Sequence, residues 1–127
     1  KTQLIAVTVL TSMDKDDLLE LGVAESPADR VLRLASLAND SGMDGVVCSA
    51  QEAPLLKDRF GNEFSLVTPG IRLPEDDAGD QRRVVTPWDA VNAGSTYLVI
   101  GRSITGASSP NDVVDKILLQ LESSQVA

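Results

Sequence analysis

Four short apolar runs, each followed by a helix-forming segment, constrain this chain more than any other feature. They are Leu4–Leu10 (LIAVTVL), Gly45–Ser49 (GVVCS), Phe64–Thr68 (FSLVT) and Thr96–Gly101 (TYLVIG). All are rich in β-branched residues and too short for helices, and their apolar residues run together rather than alternate. That is the pattern of strands buried on both faces of a parallel sheet. Between them lie helices with recognisable ends. Asp14–Leu21 starts acidic and closes at Gly22. Ser26-Pro27-Ala28-Asp29 caps a helix whose Val31, Leu34, Ala35 and Ala38 share one face, and Gly42 ends it. A third helix is expected over Gln51–Phe60, with Pro54 harmless in its first turn and Gly61 at its end. Thr86-Pro87 opens another that ends near Gly94. Ser109-Pro110 opens the last, Asn111–Leu121, with Val114, Ile117, Leu118 and Leu121 as its apolar stripe.

The order β-α-β-α-β-α-β-α, without an internal linker, means parallel strands with helices packed outside. Two architectures compete, an open doubly wound sheet and part of a (β/α)8 TIM barrel. The doubly wound sheet that binds dinucleotides carries Gly-x-Gly-x-x-Gly after its first strand, and Leu10-Thr11-Ser12-Met13 is unlike it. Four βα units are about half of the ~250 residues typical of the barrel, so a half barrel of parallel strands is expected. The chain begins at Lys1 directly before an apolar strand, and we expect it to be one part of a longer polypeptide.

Composition removes several kinds of chemistry. The sequence has no histidine, which excludes Ser-His-Asp and Cys-His catalysis and the usual zinc sites. A net charge of −8 argues against nucleic acid as the main partner. No signal peptide and no apolar run of bilayer length occur, so a soluble protein without membrane attachment is expected. The single cysteine, Cys48, lies in an apolar run and reads as core; it fits a reducing, cytoplasmic compartment.

Polar residues collect where strands end: Thr11 and Ser12, Ser49, Arg72 and Arg102. In α/β folds ligands bind at that end. The stretch Tyr97–Thr105 (YLVIGRSIT) is the most telling. A strand runs into Gly101, which permits close backbone approach, and Arg102, whose planar fork of donors matches phosphate oxygens, and a small polar loop is expected before the next capped helix. Taken alone, Arg102 reads equally well as a solvated residue at a strand end. Arg72, after Pro69-Gly70-Ile71, is either a second anion ligand or a partner for nearby acids. The long Pro-, Asp- and Gly-rich loop Leu73–Asp80 is a candidate lid, with Gly79 as hinge and Gln81 as anchor. Arg82 and Arg83 read as ion-pair partners for Glu75, Asp76 or Asp77, and those acids as solvated rather than metal-binding. Trp88 reads as packing.

The segments VTVLTSM, DGVVCSAQEA, LVTPGIR, GDQRR followed by TPWDA, and YLVIGRSIT resemble the carboxyl-terminal half of orotidine 5′-monophosphate decarboxylases, in order and over essentially the whole chain. The resemblance implies that residues 1–127 form that half of a single (β/α)8 barrel domain. It implies an enzyme of pyrimidine biosynthesis that makes uridine 5′-monophosphate from orotidine 5′-monophosphate as a homodimer, with no cofactor and no metal. By the same resemblance Thr11 contacts the pyrimidine side, Arg72 and Gln81 the ribose-phosphate side, and Gly101 and Arg102 the phosphate. Leu73 and Ser103 stand where family members often have proline. The family's Asp-x-Lys-x-x-Asp motif is absent, and the four lysines, Lys1, Lys15, Lys57 and Lys116, sit in helices or before a strand. No catalytic residue is therefore expected in this half, which would be inactive without an amino-terminal half. The alternatives are a non-catalytic half barrel, natural or engineered, that binds nucleotide phosphate or associates with another half barrel, and a different phosphate-binding barrel for sugar phosphates.

Overall fold

All four apolar runs form strands, each shorter than its run: β1 Ile5–Val7, β2 Gly45–Val47, β3 Ser65–Thr68 and β4 Tyr97–Leu98. The computed structural model describes residues 1–76 and 85–124. Within them the helices are α1 Lys15–Glu20, α2 Pro27–Asp40, α3 Ala53–Phe60, α4 Pro87–Ala93, α5 Arg102–Thr105 and α6 Pro110–Ser124. The runs outlast their ladders because the chain leaves the sheet at the carboxyl end to enter the loops. Thr8 and Val99 still donate their N–H groups to Val47 and Thr68, at 3.2 and 3.0 Å, one residue past the paired segments.

The strands are parallel and lie in the order β1-β2-β3-β4. A doubly wound sheet reverses its strand order at a switch point, whereas a barrel wall adds each strand beside the last. This sheet shows no reversal, which decides between the two architectures in favour of the barrel wall.

Side chains on a strand alternate between faces. Ala6, Val46, Cys48 and Leu66 turn toward the helices and pack with Val31, Ala35, Ala53, Leu56 and Phe64. The Phe60 and Phe64 rings meet at a centroid distance of 5.0 Å. Fully burying a side chain such as Leu56 stabilises the fold by roughly 1.5–3 kcal/mol. The other face carries the registered row Val7, Val47, Val67 and Tyr97. Its end members Val7 and Tyr97 are 60% and 53% exposed.

Local signals explain most element ends. Asp14 and Asp17 form a reciprocal capping box on α1, with Asp14 as the cap. Ser26 and Thr86 each accept a hydrogen bond from the backbone of the third residue on, Asp29 and Asp89. Gly45 is required for packing: a Cβ there would collide with the Ser65 carbonyl oxygen and lie 2.8 Å from the Ser65 Cβ. The structure corrects one packing expectation. Trp88 is 41% exposed, beside Pro74 and Pro87 in a shallow surface depression, because α4 buries Pro87 and Ala90 instead.

Candidate functional site

The site grows from the ends of β3 and β4. Thr68 closes β3 and is fully buried; its hydroxyl lies 2.9 Å from the Ser95 hydroxyl and 3.4 Å from the Tyr97 carbonyl oxygen. That contact ties the end of β3 to the start of β4. Pro69-Gly70 then turns the chain, with Gly70 at φ 75°, a left-handed conformation that disfavours any side chain. Ile71 is buried and bridges to Val85. The Arg72 N–H donates to Val85 O at 3.0 Å and the Val85 N–H donates to Gly70 O at 3.1 Å. This clasp fixes the backbone of Arg72 and leaves its side chain half-buried.

The turn after Arg72 is held as well. Leu73 is buried and donates its N–H to the Asp76 carboxylate at 3.1 Å, and Asp76 N–H returns a bond to Leu73 O. Glu75 pairs with Lys116 of α6 at 3.1 Å. A backbone N–H hydrogen bond and then the Lys116 ammonium hold the Glu75 carboxyl below its ordinary pKa. Among the described residues, then, Glu75 takes its cation from α6; Arg82 and Arg83 lie outside them.

On the other side the chain runs from β4 through Val99 and Ile100 into Gly101, the N-cap of α5. The stretch expected to be a loop after the strand is this single helical turn. Ile104 and Thr105 donate their N–H groups to Gly101 O at 2.9 and 3.0 Å. The first N–H groups of such a turn have no intrahelical acceptor and point out of its amino end. Among the described residues, no atom other than those of Gly101 and its two chain neighbours lies within 4 Å of where a Gly101 Cβ would stand. That open space belongs to a cleft of about 210 Å³ lined by Pro69, Gly70, Ile71, Arg72, Val99, Gly101 and Arg102.

Two arginines, Arg72 and Arg102, line the cleft, and none of its seven lining residues is acidic, within a chain of net charge −8. Arginine forks offer paired donors to the oxygens of a phosphate or carboxylate. The volume is below the ~300–1,000 Å³ of pockets that enclose a whole small molecule, so it suits one anionic group of a larger ligand.

Of the residues singled out from sequence, Arg72, Gly101 and Arg102 are thus brought together. Thr11 is buried in the turn that follows β1, at the same end of the sheet, but does not line the cleft. Gln81 and Gly79 lie outside the described residues. Cys48 is fully buried in the core. Lys15 lies in α1, the Lys57 stem lies against Gly94, and Lys116 is paired with Glu75. Among the described residues no group of three or more His, Cys, Asp or Glu side chains is placed to hold a metal ion. The Val85 clasp and the Thr68–Ser95 bond were not visible in the sequence, since both join residues far apart in the chain. Ser103 is buried and its hydroxyl has no hydrogen-bond partner among the described residues; in the sequence it stands out only as a departure from proline.

The sequence pattern of the Orotidine 5'-phosphate decarboxylase / HUMPS family matches residues 1–117. The orotidine 5'-phosphate decarboxylase of Psychromonas ingrahamii is 63% identical over 114 residues, which are 90% of this chain and 49% of that protein. The one from Alcanivorax borkumensis is 61% identical over 121 residues, 95% of this chain and 52% of that protein. Among solved structures, orotidine 5'-phosphate decarboxylase from Lactobacillus acidophilus superposes with a TM-score of 0.74 at 41% identity, covering 93% of this chain and 48% of that one. The chain spans about half the length of the relatives it matches, and its fold is correspondingly half of a (β/α)8 barrel. With the matched pattern running from the first strand into the last helix, this chain belongs to the Orotidine 5'-phosphate decarboxylase / HUMPS family.

Proposed function

We propose that this chain is the phosphate-gripping half of an orotidine 5′-monophosphate decarboxylase. The observation that carries the reading is the pairing of Arg72 and Arg102 across one small cleft, at the carboxyl ends of β3 and β4, beside the open space at Gly101. In this reading Arg102 and the first backbone N–H groups of α5 hold the 5′-phosphate, and Arg72 adds a second fork. Gln81 contacts the ribose-phosphate side of the substrate and anchors the 73–80 loop, which serves as a lid. Thr11 lies toward the pyrimidine. The inner sheet face is covered by an amino-terminal half, and the complete enzyme is a cytoplasmic homodimer that needs no cofactor or metal.

Loss of CO2 from the pyrimidine leaves negative charge at C6, which must be stabilised and then protonated. A lysine ammonium does both. Lys15, Lys57 and Lys116 sit in the outer helices and Lys1 is exposed ahead of β1, so this reading assigns the proton donor and its carboxylates to the amino-terminal half. Phosphate binding far from C6 still lowers the barrier, because it fixes the substrate in a reactive position.

The test is decarboxylation of orotidine 5′-monophosphate, followed by loss of substrate absorbance, with this chain alone and after adding a separately made amino-terminal half. The reading expects no turnover from the chain alone, turnover from the combined halves, and a heavy loss with Arg102→Ala. Uridine 5′-monophosphate binding without turnover in the combined halves would favour the non-catalytic alternative, a half barrel that only binds nucleotide phosphate.

A further inference from the structure

We propose that Lys116 is a positioning residue for Arg72: by holding Glu75 it sets the direction in which the chain presents Arg72 to the cleft. The inference rests on the phosphate reading of that cleft.

The two arginines reach the cleft by different routes, and α6 supports both. Arg102 opens α5, which packs against α6. Arg72 belongs to no helix or strand. Its N–H is fixed by Val85 O at 3.0 Å, and the turn Leu73–Asp76 follows it. Within that turn the Leu73 N–H donates to the Asp76 carboxylate at 3.1 Å, and the Asp76 N–H donates to Leu73 O at 3.0 Å. These bonds fix the shape of the turn but not its direction, because both partners move with it.

Direction needs an anchor at each end. Leu73, buried, supplies the first. The second is Glu75, whose carboxylate accepts a hydrogen bond from Lys116 Nζ at 3.1 Å. Packing on α4 does not replace that anchor. A depression of about 240 Å³ lies between the turn and the start of α4, bordered by Pro74 and Asp76 on one side and by Thr86 and Asp89 on the other. Once Glu75 is released, the turn has room to swing toward α4 and to carry Arg72 with it. A guanidinium binds phosphate through paired, directed hydrogen bonds, so a displaced fork binds less well.

Calorimetric titration with uridine 5′-monophosphate of the parent chain, Lys116→Met, Glu75→Gln, the double variant and Lys116→Arg tests this. Both single variants are expected to weaken binding by the same factor, about two- to fivefold, the scale of an exposed ion pair. The double variant should lose no more than either single one, since the first change already breaks the pair. Lys116→Arg keeps the pair and should bind like the parent. Both side chains are half exposed, so every variant should keep the far-UV circular dichroism of the parent. Amide exchange at Leu73, read by NMR, should quicken in Lys116→Met. Long-range attraction between Lys116 and the phosphate predicts a different pattern: Lys116→Met removes a positive charge and weakens binding, whereas Glu75→Gln removes a negative one and strengthens it. Those opposite signs, or a Lys116→Met chain that binds like the parent, would overturn the proposal while leaving the phosphate reading intact. A parent chain that binds no nucleotide would overturn both.

Discussion

Replacing Thr68 by valine tests the element that joins the two halves of the cleft. The side chains have nearly the same shape and both favour strands, so the change removes one hydroxyl and little else. That hydroxyl is fully buried, 2.9 Å from Ser95 Oγ and 3.4 Å from Tyr97 O. The second contact is long and contributes little; the first is a good hydrogen bond, with a net value of about 1 kcal/mol. Ser95 is half-buried and recovers water in part when its partner is lost, which limits the added desolvation penalty. The expected cost is therefore about 1–2 kcal/mol, or roughly 5 °C in Tm for a domain of this size. Urea unfolding of the parent, Thr68→Val, Ser95→Ala and the double variant measures it. The two single changes break the same bond, so their effects must fall short of additive, with a coupling of about 1 kcal/mol. Strictly additive effects, or a Thr68→Val chain as stable as the parent, would refute the claim that this bond fastens β3 to β4.

Gly45→Ala should destabilise the fold by about 3 kcal/mol, because the new methyl meets the Ser65 backbone rather than a movable side chain; equilibrium unfolding checks it. Ser103→Ala should stabilise by about 1 kcal/mol, since it removes a buried hydroxyl that lacks a partner among the described residues; a loss of stability would show that the hydroxyl is bonded. The Glu75 carboxyl should titrate below its ordinary range and move back toward it in Lys116→Ala, as read by NMR. Since the folded-state pKa is the lowered one, the Glu75–Lys116 contact is fully present above the unfolded-state value and fades as pH falls through the folded one.

How much of this was legible in the sequence depended on how local the cause was. Strand and helix order followed from apolar runs and caps, and Ser26-Pro27, Thr86-Pro87 and Gly61 each act within a few residues of themselves. The rim position of Arg72 and Arg102 followed from strand ends alone. Strand lengths did not, because pairing stops where the chain leaves the ladder. The one-turn helix α5 was read as loop since four residues carry no periodic pattern. The Val85 clasp on Arg72 and the Thr68–Ser95 bond depend on which segments become neighbours, which only the assembled fold sets. Trp88 was misjudged for a related reason: a tryptophan in a helix's first turn packs only if that face meets the core, and α4 turns Pro87 and Ala90 inward.

The most direct test of the account is calorimetric titration of the chain with uridine 5′-monophosphate, alongside uridine and the Arg102→Ala variant. A charge-assisted guanidinium–phosphate contact contributes about 1.5–3 kcal/mol, so Arg102→Ala should weaken nucleotide binding roughly 10- to 100-fold. Uridine should bind far more weakly than its phosphate ester, and added salt should narrow the difference. Equal affinity for uridine and uridine 5′-monophosphate, or an Arg102→Ala chain that binds the nucleotide as tightly as the parent, would contradict a phosphate site between residues 69–72 and 99–102.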